Sequence, residues 1–296
     1  FDFDDINEVN QNVSKVMFIK LIIIKLFPLL TIFIGSGLIL KYAYVTFKLK
    51  KIEWKEFTPL DLNSLDMILL IAGGFVVLGE VVSPLFSITI VDLIFRGVSK
   101  EILQSLKIFF GYFFMAIPPL LILYSQIKSI DEEFNFKNDY FQFNWNPLKD
   151  VINKGFKGWL MIIPFVLLTS IVMNYFIDNQ AGSNPLLEIV LNNNNYLAFL
   201  LLFITTTILA PFFEELIFRG VLLPILSRDF GIIIGIFTSS FIFALAHLSL
   251  NEFPPLFILG IGLAMTRLIS GRLSSSVFMH SLWNGLTFLN LFLLRT

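Results

Sequence analysis

The sequence contains no cysteine, only two histidines and few charged residues among its 296 positions. Without cysteine, the protein cannot form a disulfide, a thiolate zinc site or a cysteine nucleophile. Charged residues make up 15% of the chain, whereas a soluble domain carries about 25%. The formal net charge of -1 gives no excess of basic residues to attract nucleic acid, so we expect no nucleic-acid partner.

Apolar residues take the place of the missing charge. They make up 56% of the chain, and the mean hydropathy is +0.81. They occur in blocks long enough to cross the hydrocarbon core of a bilayer, so we predict an all-α, polytopic integral membrane protein with about eight transmembrane helices. The predicted spans are 21–44, 67–90, 106–127, 158–176, 197–226, 232–248, 255–269 and 274–294.

The loops between these spans differ in charge from one side to the other. Lys and Arg are concentrated on one side, whereas the opposite loops 177–196 and 249–254 contain neither. The positive-inside rule makes the basic side cytoplasmic. The polar, aromatic stretch 131–150 then marks a boundary. We expect residues 1–150 to form an N-terminal three-span membrane unit with a cytoplasmic loop, and residues 151–296 to form a second unit of five spans.

Three charged residues interrupt the fifth predicted span. They are Glu214, Glu215 and Arg219, and each costs about 2.5–3.5 kcal/mol on insertion scales. Glu215 and Arg219 are spaced i and i+4, so they lie on one helical face and can pair. A pair of this kind is often only a structural bridge. Glu214 lies about 100° around the axis and remains available for another function.

Both histidines of the chain also fall in predicted spans. His247 ends the sixth span one turn after Phe243, and His280 precedes Asn284 by one turn in the eighth span. Each polar residue alone could simply hydrogen-bond between helices. Counting the helical rise from the cytoplasmic ends places Glu214 and His247 at nearly equal depth. An acid pair, two imidazoles and an amide together provide the groups that activate water and stabilise an oxyanion.

The order of these residues resembles a known family. The shared patterns are Glu214-Glu215-x-x-x-Arg219, Phe243-x-x-x-His247 and His280-x-x-x-Asn284. They resemble the motifs of the CAAX prenyl protease and bacteriocin-processing family, also called the Abi or type II CAAX endopeptidase family. The resemblance covers residues 158–294, which makes residues 151–296 similar to that family's protease domain.

The resemblance implies an intramembrane endopeptidase that cleaves a membrane-associated peptide or a protein C-terminus, prenylated in some relatives. It makes Glu214 the general base that activates water, with assistance from His247. It assigns His280 and Asn284 to the oxyanion, and Arg219 to the orientation of the acidic pair.

The same residues leave a second mechanism open. Glu214, His247 and His280 could bind Zn²⁺ and leave one position for water, because two His and one carboxylate form a familiar catalytic zinc set. The chain contains no His-Glu-x-x-His helix. We therefore expect the metal-free version first, with no certain cofactor.

Two non-enzymatic interpretations also remain at this stage. The protein could be a membrane scaffold or a bacteriocin-immunity protein that retains the family fold. It could also be a transporter in which Glu80, Glu214 and the histidines relay protons, although the chain shows no internal repeat of the kind that many transporters have. In each case we expect a multi-pass protein of a bacterial cytoplasmic or internal membrane. Its expected partners are the lipid bilayer and, for the enzyme, a peptide or protein substrate.

Overall fold

The computed structural model describes residues 3–49, 54–55, 60–130, 140–176 and 195–294. These residues form helices and connecting segments, with no β-strand in the described ranges. The helices are α1 Phe3–Leu49, α2 Leu65–Ile94, α3 Lys100–Ile130, α4 Leu148–Phe176, α5 Tyr196–Phe230, α6 Ile232–Ala246, α7 Phe253–Ser270 and α8 Leu273–Leu294. The predicted all-α class is confirmed.

Six of the helices in the described ranges are long and apolar enough to cross a membrane, namely α1 to α5 and α7. The chain is therefore an integral, multi-pass membrane protein. Helix α6 has 15 residues, fewer than the roughly 20 that a perpendicular span requires. Helix α8 has 22 residues but is not among the six. The predicted count of eight spans stays a prediction.

The helices that carry the motif residues pack into one bundle. Helix α4 packs against α1, α7 and α8, and α7 also packs against α6. Helix α5 contacts α3, α6 and α8, and α2 pairs with α3. The three motif-bearing helices α5, α6 and α8 are thus held together by direct contacts and through α4 and α7.

Helix α7 packs tightly against its neighbours through two glycines, Gly260 and Gly262. A side-chain carbon added at Gly260 would lie 2.9 Å from Cβ of Ser240 on α6. One added at Gly262 would lie 2.6 Å from Cγ1 of Ile162 on α4. Only glycine allows so close an approach, so α7 packs directly against both α4 and α6.

Helix α5 widens on both sides of the acidic pair. It is π-helical over Thr205–Leu209 and Leu216–Leu222, and α-helical over the intervening Ala210–Glu215. Pro211 lies at the start of that intervening segment, where its missing N–H is tolerated because the regular hydrogen-bond pattern is already interrupted. Such wide turns are frequent at functional sites. They set the rotation at which the two glutamates leave the helix.

Part of the predicted boundary between the two units has a defined structural role. Residues 131–139 of the predicted boundary stretch 131–150 lie outside the described residues. Residues 177–194 of the predicted loop 177–196 also lie outside them. In the described remainder, the carbonyl of Gln142 accepts a hydrogen bond from the backbone N–H of Leu273 at 3.1 Å. The division of the chain at residue 150 stays a prediction, and α4 begins at Leu148, close to that position.

Candidate intramembrane active site

The site is built on a buried ion pair within α5. Arg219 and Glu215 are both fully buried, and Nη1 of Arg219 donates to Oε1 of Glu215 at 2.8 Å. Nη2 of Arg219 donates to the carbonyl of Gly260 on α7 at 3.1 Å. The guanidinium carbon lies 4.3 Å from the ring centre of Phe243 on α6, a favourable cation–π position. The i, i+4 pair thus also connects α5 with α6 and α7.

Glu215 has two further partners on α8. The Nδ1 atom of His280 lies 3.0 Å from Oε1 of Glu215, and the hydroxyl of Ser276 donates to Oε2. Both carboxylate oxygens are therefore engaged, as a buried charge requires. The bond at Nδ1 fixes the orientation of the His280 ring and directs its Nε2 atom towards Glu214.

Glu214 lies in a different environment although it is the next residue. Its side chain is buried, but Oε2 has no hydrogen-bond partner within the part of the chain that the structure describes. This oxygen lies 3.8 Å from Nε2 of His280 and 4.0 Å from Nε2 of His247. These separations are too long for direct hydrogen bonds and suit a bridging water.

His247 reaches this position from the end of α6. Its Nδ1 atom lies 2.9 Å from the carbonyl of Phe243, so with Nδ1 as the donor its Nε2 atom can accept a proton. The ring of Phe243 packs edge-on against both imidazoles, at centroid distances of 4.8 Å for His247 and 5.8 Å for His280. The aromatic ring one turn before His247 therefore holds both histidines in place.

Asn284 lies one turn after His280 on α8. Its Nδ2 donates to the carbonyl of Thr206 at 2.9 Å, within the first π-helical segment of α5. A primary amide carries two N–H groups, so one of them holds α8 against α5 and the second remains available to a ligand.

A chamber of about 430 Å³ brings four of the predicted residues together: Glu214, His247, His280 and Asn284 all line it. Glu215 and Arg219 lie beside it and are not among its lining residues. Of the six predicted site residues, four therefore face the chamber and two support them. Their catalytic roles stay predictions.

Several other residues line the chamber and were not revealed by the sequence, among them Tyr112 of α3, Glu252 before α7 and Trp283 of α8. Tyr112 lies in a run of aromatic residues that gives it no distinguishing pattern. Glu252 lies in one of the loops without Lys or Arg, and this position was the only available signal.

Glu80 had no partner assignable from the sequence. In the structure this half-buried residue interacts electrostatically with His247, and also with Tyr112 and Glu214. It is not one of the lining residues. It therefore adds negative charge to the surroundings of the chamber.

The side chains of the possible zinc ligands Glu214, His247 and His280 meet only part of what a metal site requires. The ring nitrogens of His247 and His280 face one carboxylate oxygen of Glu214, and His280 has the carboxylate partner that metal-bound histidines usually have. Among the described residues, however, no group of three His, Asp or Glu side chains is arranged to hold a metal ion. We therefore derive no step that involves a metal.

Six apolar helices of membrane length in the described part of the chain and a chamber lined by a carboxylate and two imidazoles define a multi-pass membrane protein with an acid–imidazole site. Residues 196–286 match the family model of the type II CAAX prenyl endopeptidase, Rce1-like. The matched residues include every motif position, so the resemblance seen in the sequence is confirmed over this part of the chain. No curated protein and no solved structure matches the chain.

Proposed function

We propose that the protein is an intramembrane endopeptidase that cleaves a membrane-associated peptide or protein C-terminus. One observation carries the proposal. The Oε2 atom of Glu214 has no hydrogen-bond partner among the described residues, and it lies within 4.0 Å of both imidazole Nε2 atoms in a shared chamber. A water held there contacts a carboxylate base and an imidazole at once, as general-base hydrolysis requires.

The reaction follows from this placement. Glu214 accepts a proton from the water, with His247 orienting it, and the resulting hydroxide attacks the scissile carbonyl carbon. When the C–N bond breaks, the proton passes to the leaving amine. The water supplies the hydroxyl and the proton that the two products gain.

The oxyanion is stabilised from α8. His280 and Asn284 both line the chamber, and we assign both to the oxyanion. The amide of Asn284 carries a second N–H besides the one that donates to the carbonyl of Thr206. Donors placed in advance around a developing oxyanion are usually a large contribution to catalysis.

The proposal is tested with purified protein in proteoliposomes and a library of quenched-fluorescent apolar peptides. Wild type should cleave members of the library, whereas Glu214→Ala and His247→Ala should lose this activity while still inserting and folding. Glu101→Gln is the control, because Glu101 is an exposed carboxylate on α3 outside the chamber. Equal cleavage by wild type and both chamber variants would refute the proposal. A scaffold or immunity protein would instead keep its cellular phenotype in Glu214→Gln.

A further inference from the structure

We infer that the hydroxyl of Tyr112 is a further catalytic group of the chamber, which relays the proton from Glu214 to the leaving amine. This role rests on the proposed function and supplies the step that releases the second product. Tyr112 lies on α3, outside residues 196–286 that match the family model.

Four of the described lining residues carry a hydroxyl group, and they differ in what they bind. Those of Ser170, Thr206 and Thr287 each donate to a backbone carbonyl of their own helix at 2.9 Å. These bonds occupy the single proton that each hydroxyl has. The hydroxyl of Tyr112 has no hydrogen-bond partner among the described residues. A tyrosine inside a protein usually finds one, so this O–H is available to a molecule bound in the chamber.

The other polar groups of the lining have a different role or cannot pass a proton on. His280 and Asn284 are assigned to the oxyanion, and Nε2 of His247 accepts a proton when its Nδ1 donates to a backbone carbonyl. Glu252 is an acceptor in its ionised form, and the indole of Trp283 is a donor that cannot accept a replacement proton. A phenol both donates and accepts, and its ordinary pKa of about 10 leaves it protonated at neutral pH.

Close packing of α2 against α3 fixes the position of Tyr112. A carbon added at Gly79 would lie 3.0 Å from the carbonyl oxygen of Met115, so the two helices approach closely at this level. Met115 follows Tyr112 by about one helical turn, so the two residues are neighbours on the surface of α3. Glu80, next to Gly79, interacts electrostatically with Tyr112. The phenol therefore extends from a tightly packed pair of helices.

Tyr112 is also within electrostatic range of the proposed base. It interacts electrostatically with Glu214, and both residues line the chamber. Oε2 of Glu214 faces the Nε2 atoms of His247 and His280, so the proton that Glu214 takes from the water is held beside the two imidazoles. Transfer of that proton to an amine elsewhere in the chamber requires a carrier. Among the described lining groups, the hydroxyl of Tyr112 has the chemistry of such a carrier.

The proton transfer balances within the chamber. As the C–N bond breaks, the nitrogen keeps the electron pair of that bond and takes the proton of the Tyr112 hydroxyl. The phenolate oxygen then takes the proton that Glu214 received from the water. Both side chains end in the state in which they began, and the water has supplied the hydroxyl of one product and the hydrogen of the other.

The test compares a peptide that the wild-type protein cleaves with its depsipeptide, in which an ester oxygen replaces the nitrogen of the scissile bond. An amine has to be protonated in order to leave, whereas an alkoxide leaves far more readily without a proton. Tyr112→Phe should therefore lower kcat for the peptide by about 10²-fold, leave kcat for the depsipeptide within a few fold of wild type and change neither KM. Tyr124→Phe is the matched control, because Tyr124 is an exposed residue of the same helix outside the chamber lining.

The ratio of peptide to depsipeptide cleavage is unaffected by the amount of folded protein. A fall of about 10²-fold in this ratio supports the relay, whereas an equal loss on both substrates or no loss on either overturns it and leaves the proposed function in place. If Tyr112→Phe does not fold, trifluorotyrosine at position 112 keeps the hydroxyl and makes it more acidic. The ratio should then differ from wild type, and an unchanged ratio overturns the relay. If the wild-type protein cleaves neither substrate, the proposed function is refuted and the relay with it.

Discussion

His280 and Glu215 are joined across two helices by a contact of 3.0 Å between Nδ1 and Oε1. The same carboxylate oxygen accepts a hydrogen bond from Arg219. Glu215 is therefore occupied by holding α8 and the guanidinium in place. Glu214 precedes it by one residue, yet one of its oxygens has no partner among the described residues. The two adjacent glutamates thus have different physical roles, and variants of each should differ accordingly.

Replacement of Glu215 by Gln should mainly reduce stability. The change leaves Arg219 as a buried charge without its counter-ion, and breaking a buried pair in this way costs about 3–5 kcal/mol. Glu214→Gln removes no ion pair with an arginine or lysine, so its free energy of unfolding should remain close to wild type. Thermal or denaturant unfolding in detergent measures both effects. Equal destabilisation by the two variants would show that Glu214 is also structural.

Glu214→Gln should instead abolish most of the activity. General-base catalysis contributes roughly 10²–10⁴-fold to a rate, and the amide keeps the shape of the side chain while losing its basicity. The cleavage rate of the library peptides measures this loss, with Glu101→Gln as the control. A rate within a few fold of wild type would remove Glu214 from the proposed mechanism.

Replacement of Asn284 by Ala should lower kcat more than it raises KM. Removal of one oxyanion donor costs about 10²–10³-fold in kcat, since that hydrogen bond is strongest in the transition state. Asn290→Ala is a matched control, because Asn290 is an exposed residue of the same helix outside the chamber. A change confined to KM or to the unfolding temperature would indicate that Asn284 only fastens α8 to Thr206.

Removal of metal should leave the peptidase activity intact. The mechanism proposed above uses a carboxylate base, and the described side chains show no three-ligand metal arrangement. Zinc content by elemental analysis and cleavage after chelation are the two measurements. One zinc per chain that disappears in His247→Ala and His280→Ala, with activity restored by added Zn²⁺, would instead support the set Glu214, His247 and His280.

Replacement of Gly260 by Ala should disturb both the fold and the site. The added methyl carbon would lie 2.9 Å from Cβ of Ser240 and 3.3 Å from Nη2 of Arg219, so α6 must shift and carry His247 with it. Overpacking of this kind typically costs about 1–3 kcal/mol. Gly37→Ala on α1 is the control, because nothing lies within 4 Å of the added carbon. Equal unfolding temperatures for the two variants would contradict this packing.

Sequence patterns predicted the local parts of the site well. The i, i+4 spacing indicated the Glu215–Arg219 pair, and counting the helical rise placed Glu214 and His247 at similar depth, where the structure has them 4.0 Å apart. The hydrogen bond from Ser276 to Glu215 and the position of Tyr112 in the chamber lining could not be predicted in the same way. They depend on how separate helices are rotated against one another, and the apolar sequence around them has no polar face from which that rotation could be determined.

The span count illustrates the same limit. Composition separates membrane helices from loops, but α6 is short and α8 carries several polar residues that face the site. The residues that make a helix functional also weaken its hydrophobic signal. Length and composition support six spans among the described residues. Helix α6, which ends just before His247, and helix α8, which carries His280, are not among these six.

The hydrogen bond from Arg219 to the carbonyl of Gly260 lies beside the chamber, between residues that do not line it. This separation of support from lining affects how the protein can evolve. The supporting residues lie beside the chamber and do not line it, whereas Glu252 and Trp283 lie in its lining. Under the proposed function, substitutions in the lining can therefore alter which peptides enter without loosening the groups that support Glu214. Descendants of this chain could then acquire new targets by changing a few lining positions while keeping the proposed catalytic groups.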